Sequence, residues 1–229
     1  MCKKMNRIIA TSDWHGLSDR ARTLIAKTKW NHETDELIVL GDMIDRGPDS
    51  LGCVAFARLL EEQGATILMG NHEDMAVQAF GNVFKNPNDP KWDGKALAFH
   101  LENGGDKFWN QVTEKMPNLL DIMRWFEHLP LYHSEVLDFG YMFVHAGWDT
   151  VNPSTQTKDF MLWARDDFME VPSPKDYTVV FGHTPTKYLR SDSRQLIYHG
   201  DHKIGIDCGA IFGGLLAAIS LPDGEEFYA

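Results

Sequence analysis

Cysteine is scarce. Three cysteines in 229 residues, Cys2, Cys53 and Cys208, are scattered with no CxxC pair, so they supply neither a disulfide framework nor a thiolate zinc motif. Cys53 and Cys208 are expected as reduced, small core residues. Long apolar runs are also missing. No continuous apolar segment reaches the roughly 18 residues of a membrane span, and Ile8 to Ala10, near the start, is too short for a signal-peptide core. Positive charge is in deficit, with 22 Lys and Arg against 33 Asp and Glu. That balance argues against broad adhesion to nucleic acid or anionic membrane, so any anionic ligand would have to be gripped locally. There is no internal repeat and no low-complexity tract. What remains is a cytoplasmic globular protein with no stable nucleic-acid partner and no membrane contact, of a length that suits one domain over residues 1–229.

Short apolar runs recur, each ending in glycine or polar residues: "RIIATSD", "ELIVLGD", "TILMGNHE", "YMFVHAG" and "TVVFGHT". Each reads as a buried strand feeding a loop. Segments of helical length, Ser18 to Trp30 and Ser50 to Gln63, separate the first three and predict parallel βαβ units. In the second helix Ser50 is the expected N-cap, Leu51, Val54, Ala55 and Leu59 the apolar face, and Gly64 the stop. Between about 81 and 118 the pattern loosens into an insertion or cap, with "KNPNDPKWDGK" as a loop and a helix interrupted at Gly104 and Gly105. Trp92 and Trp109 lie there as packing or groove residues. "LLDIMRWFEHL" is helical. The chain then turns to strands: a hairpin turning at Asp138 to Gly140, and a meander formed by "QLIYHGDHKIGIDCG" with "LLAAISLPDGEEFYA".

Side chains at the strand ends carry the chemistry. Ligands of α/β folds sit where strands end side by side, and here the ends offer Asp13 and His15, Asp42 and Asp45, Asn71 and His72, His145, and His183. Taken singly, each reads as a loop, cap or structural residue. Taken together, they exceed the needs of one ion. Nitrogen and oxygen donors without thiolate suit manganese, iron or zinc, and two ions sharing a carboxylate form the clamp that holds a phosphate for in-line attack.

The ordered motifs "GDMIDRG", "GNHE", "VHAG", "LWARDD", "GHT" and "IDCGAIFGG", with "ENGGDKFW" between them, closely resemble the phosphoprotein phosphatase family of calcineurin-like dinuclear metallophosphoesterases, in its bacterial and phage lambda-type serine/threonine branch. The resemblance runs from Asp13 to Gly214. Ser12 departs from it, since the family usually has glycine before the aspartate, but that position carries no ligand. The resemblance implies an α/β metallophosphoesterase β-sandwich of two mixed sheets flanked by helices, with the active site at the strand C-terminal ends. It implies one metal held by Asp13, His15 and Asp42, and a second held by Asp42 as bridge with Asn71, His145 and His183; manganese is the expected ion. It also implies His72 as general acid with Asp45 holding its ring, and Arg46 and Arg165 as phosphate clamps.

Under this reading a metal-bridging hydroxide attacks phosphorus directly, and the substrate is a protein phosphorylated on serine or threonine, with tyrosine a further target. Two other readings stand beside it: a dinucleoside polyphosphate hydrolase with the same site, and a silent metal-binding interaction protein, which the intact motifs disfavour. Glu73 and Asp74 are expected only as carboxylates favoured by a helix N-terminus. The remaining histidines, His32, His100, His128, His133, His199 and His202, fall outside the motifs.

Overall fold

A computed structural model describes residues 7–84, 94–135 and 140–229. The first apolar run forms β1 (Arg7–Thr11), which pairs in parallel with β2 (Asp35–Val39), itself parallel to the short β3 (Thr66–Ile67). The helices α1 (Ser18–Thr28) and α2 (Ser50–Glu62) make the crossovers. On the other side of β1 lie the antiparallel β9 (Ala217–Leu221) and β10 (Glu226–Tyr228). A second five-stranded sheet has the order β4 (Tyr132–Glu135), β5 (Tyr141–Val144), β6 (Thr178–Phe181), β8 (Lys203–Gly205), β7 (Tyr198–His199). Its β5, β6 and β8 are parallel, and β4 and β7 run antiparallel at its edges.

The two-residue alternation of strand side chains decides what each face buries. Ile8, Ala10, Ile38 and Leu40 meet Phe143, Val180 and Ile206 between the sheets. Ile9, Leu37 and Val39 face the helices on the opposite side. Met142, Val144, Val179 and Phe181 pack outward against α7 (Lys158–Trp163) and α8 (Asp166–Glu170). At the sheet edge His133 of β4 reaches Glu36 of β2 at 2.8 Å and Glu135 at 3.1 Å, an ionic tie between the sheets. Cys53 and Cys208 are buried free thiols, and Cys2 lies outside the described residues. Among the described residues no helix is long and apolar enough to cross a membrane.

Several details depart from the sequence expectations. Asp49 caps α2 by accepting from the Gly52 N–H at 3.1 Å, while Ser50 Oγ accepts from the Asp45 N–H at 3.0 Å. The buried face of α2 is Cys53, Val54, Phe56, Ala57 and Leu60, with Leu59 exposed. "LGCVAFARLL" is apolar in two helical registers, so periodicity could not choose between them. The expected meander is divided: β7 and β8 belong to one sheet, β9 and β10 to the other. The hairpin of β4 and β5 forms, but its turn at 136–139 lies outside the described residues, as do Trp92 and the loop 85–93. The interrupted helix is α4 (Lys95–His100), a π turn (Leu101–Gly105) and α5 (Asp106–Lys115). The element α6 (Leu119–His128) is capped by Asn118, and α3 (Asn71–Phe84) starts directly at the "NHE" motif.

Candidate active site

The loops after β1, β2, β3, β5, β6 and β8 converge at one end of the two sheets, and they carry all ten side chains singled out in the sequence except Arg165, which arrives from the link between α7 and α8. The backbone there is strained. Asp13, His15, Asp42, Asp45, Arg46 and His183 all have positive φ, between 40° and 74°, a region that non-glycine residues occupy at a cost of about 1–3 kcal/mol each and only where the surroundings force it.

Glu73 supplies much of that force. Its carboxylate, fully buried in the first turn of α3, accepts from the Asp42 N–H at 2.9 Å, Met43 at 2.8 Å, Ile44 at 3.3 Å and Gly70 at 3.0 Å. Each oxygen takes two donors, which favour the ionised form, while burial first, and Asp42 second, push its pKa up to about 8. Glu73 is therefore the anchor of the Asp42 loop, a larger role than the helix dipole assigns it. Asp74 beside it forms an ion pair with Lys158. Gly70 is needed where the loops meet, because a Cβ there would lie 2.2 Å from Asp42 Oδ1.

Hydrogen bonds to the backbone set the tautomers. His15 Nδ1 faces the Ile44 carbonyl at 3.0 Å and His145 Nδ1 the Leu40 carbonyl at 2.7 Å. A carbonyl only accepts, so both rings are protonated on Nδ1 and turn an Nε2 lone pair inward. This is the outer-shell arrangement of metal-binding histidines. His145 Nε2 and His183 Nδ1 converge on the Asn71 amide at 2.9 and 3.0 Å. With the amide oxygen inward, acceptors face acceptors and a cation reconciles them; turned over, the amide N–H2 would donate to the same atoms and to Asp42.

Two buried trios result, His15 with Asp42 and His72, and Asp42 with His145 and His183, each with ligand atoms within 4.8 Å of one another. Asp42 is common to both. Asp13 stands beside the first trio, its Oδ1 3.9 Å from His15 Nε2, because its carboxylate accepts the His183 N–H at 3.0 Å. Burial pushes Asp42 up to about 7 and Asp13 up to about 6, and it lowers His15, His145 and His183. Neutral imidazoles beside carboxylates that resist crowding their negative charge form a donor set that cations fit.

Next to these trios His72 Nδ1 lies 2.6 Å from Asp45 Oδ2, and its Nε2 has no hydrogen-bond partner among the described residues. Arg46 Nη1 lies 2.7 Å from His15 Nε2, and Arg165 Nη1 donates to the His183 carbonyl at 3.1 Å. Both arginines line a cleft of about 270 Å³ with His183, Pro185, Lys187, Tyr188, Asp207 and Phe212. Sequence reasoning gave no role to Asp207, whose buried carboxyl is pushed well up by burial and by Asp13. It lies two residues past the end of β8 within "IDCG", and the strand-end rule that found Asp13 could have found it. His100, set aside as lying outside the motifs, places Nε2 2.7 Å from Asp45 Oδ2.

Known proteins are similar to this chain in sequence and in fold. The chain is 30% identical over 93% of its length to serine/threonine-protein phosphatase 1 of Salmonella typhimurium, of which 91% is covered. It is 29% identical, again over 93%, to the asymmetrical bis(5'-nucleosyl)-tetraphosphatase PrpE of Bacillus subtilis, of which 90% is covered. The fold is similar to that of a cold-active protein-tyrosine phosphatase of a psychrophilic Shewanella species, with a TM-score of 0.60 at 19% identity over 100% of this chain and 82% of that one. Residues 6–205 match the calcineurin-like phosphoesterase family, and with two buried His/Asp groups fit for metal at its strand ends the chain belongs to that family of metal-dependent phosphoesterases.

Proposed function

We propose that the protein is a phosphatase that hydrolyses phosphoserine and phosphothreonine monoesters of proteins, and phosphotyrosine as a further target. The cleft carries this reading. At about 270 Å³, with the cations Arg46, Arg165 and Lys187 on its wall, it falls just below the usual range of small-molecule pockets. It suits one phosphate and the group next to it better than a dinucleoside with a chain of phosphates.

Asp13, His15, Asp42, Asn71, His145 and His183 are the proposed ligands of two divalent ions, manganese foremost. When bound, the ions would supply an activated water and neutralise phosphate oxygens. Arg46 and Arg165 orient the phosphate, since a guanidinium fork matches two of its oxygens. Hydrolysis exchanges the bond from phosphorus to the leaving oxygen for one to a water oxygen, whose proton passes to solvent, and the leaving oxygen takes a proton from His72 Nε2. Asp45, on Nδ1, fixes the ring so that Nε2 points at that oxygen. Burial first, then His15 and Arg46, disfavour the His72 imidazolium; a phosphate dianion bound beside the ring acts the other way.

A second reading keeps the residues and changes the substrate to diadenosine tetraphosphate, supported by the tetraphosphatase relative at 29% identity. The test is turnover of a phosphoserine peptide, a phosphotyrosine peptide and diadenosine tetraphosphate by manganese-loaded protein. A peptide preference is expected, and a dinucleotide preference would replace the first reading with the second.

A further inference from the structure

Asp45 Oδ2 serves two imidazoles. His72 Nδ1 lies 2.6 Å from it and His100 Nε2 2.7 Å from it, and all three side chains are buried. On the far side of His100, the Trp109 indole N–H donates to Nδ1 at 3.0 Å. An indole nitrogen only donates. His100 Nδ1 must therefore offer a lone pair, the ring proton sits on Nε2, and His100 is a neutral donor to the carboxylate. A second proton on the ring would point at the indole N–H.

The chain is shaped to hold this ring. A Cβ on Gly105 would come within 2.5 Å of the His100 imidazole, so only glycine lets the π turn of residues 101–105 close over it. Such turns inside helices are frequent at functional sites. The same turn places the Gly104 carbonyl 3.0 Å from the Arg46 N–H. One short element thus supports Asp45 through a side chain and Arg46 through the backbone. That gives "ENGGDKFW" a physical task.

We propose that His100, locked by Trp109, is a positioning residue for proton donation: it gives Asp45 Oδ2 a second N–H donor, which holds the carboxylate aimed at His72. The proposal rests on the reading of His72 as proton donor. Asp45 Oδ1 is buried with no hydrogen-bond partner among the described residues, so without His100 the carboxylate would keep only the His72 contact on Oδ2 and be free to turn away from it. Because the hydrogen bonds of His100 among the described residues run to Asp45 and Trp109 and not to the phosphate clamps, its loss should act on kcat more than on KM.

The test compares phenyl phosphate, whose leaving oxygen needs a proton, with 2,4-dinitrophenyl phosphate, whose leaving oxygen does not. His100→Leu should lower kcat on phenyl phosphate at least tenfold and on the dinitrophenyl ester less than threefold, with KM within twofold for both. His100→Gln, which can present an amide N–H to Asp45, should recover most of the loss, and Trp109→Phe should fall between. Equal losses on both esters, or no loss, would overturn the proposal. Side-chain ¹⁵N NMR of the unsubstituted protein gives a readout that requires no variant to fold: His100 should be neutral with its proton on Nε2, and a proton on Nδ1 would overturn the assignment. No turnover by the parent protein, or a His72→Asn variant equally impaired on both esters, would instead sink the His72 reading and this proposal with it.

Discussion

Replacing Glu73 by alanine separates two accounts of the same helix turn. If Glu73 only complements the dipole of α3, its loss costs about 0.3–1 kcal/mol, as does that of Asp74 one residue later. The structure demands more. Alanine would strip acceptors from four N–H groups, those of Asp42, Met43, Ile44 and Gly70, at a fully buried point. At the lower bound of about 1 kcal/mol for each orphaned donor the cost is about 4 kcal/mol. For a chain of this size that corresponds to a fall in Tm of roughly 8–16 °C. Urea unfolding followed by tryptophan fluorescence reads the change as a shifted midpoint at constant slope. Asp74→Ala, which removes an ion pair to the half-exposed Lys158, should stay within about 1 kcal/mol and serves as control. Glu73→Gln, which keeps one oxygen, should lie between. A Glu73→Ala loss below about 1 kcal/mol, or one equal to that of Asp74→Ala, would refute the anchoring role and with it the account of how the strained Asp42 loop is held.

Asp42→Asn removes the carboxylate common to both trios. Turnover should fall at least a hundredfold and the bound metal measured by elemental analysis should drop; full activity with two ions retained would disprove the assignment. Removal of divalent ions by a chelator should abolish turnover, and added manganese should restore it. His72→Asn should impair phenyl phosphate far more than activated aryl phosphates. Away from the site, burial draws the His133 pKa down, but hydrogen bonds and charge from Glu36 and Glu135 outweigh it and leave it above 6.5. A raised pKa contributes stability that is fully present below the unfolded value near 6.5 and lost as pH rises through the folded value. Glu36→Gln should therefore destabilise by up to about 1 kcal/mol at pH 6 and by nothing measurable at pH 9, read as urea midpoints at both. An equal cost at both pH values would remove the ion pair from the explanation.

The sequence by itself determined which side chains stand at strand ends, because an apolar run that stops at a polar cluster marks both a strand terminus and a cost of burial that a ligand must offset. Asp13, His15, Asp42, Asn71, His145 and His183 were legible in that way, and so was the family, from the order of the motifs. The parallel start of the first sheet followed from the helices between its strands. Tertiary structure alone decided the rest. The face of α2 was ambiguous in a stretch apolar all round, and the division of the last strands between two sheets depends on pairing across the whole chain. Glu73 looked like any acidic residue at a helix start until the Asp42 loop lay over it. His100 showed no signal, because its role arises from a contact with Asp45 across 55 positions of sequence. Local pattern reports where strands stop; only the folded chain reports which face of an all-apolar helix is buried and which buried group meets which.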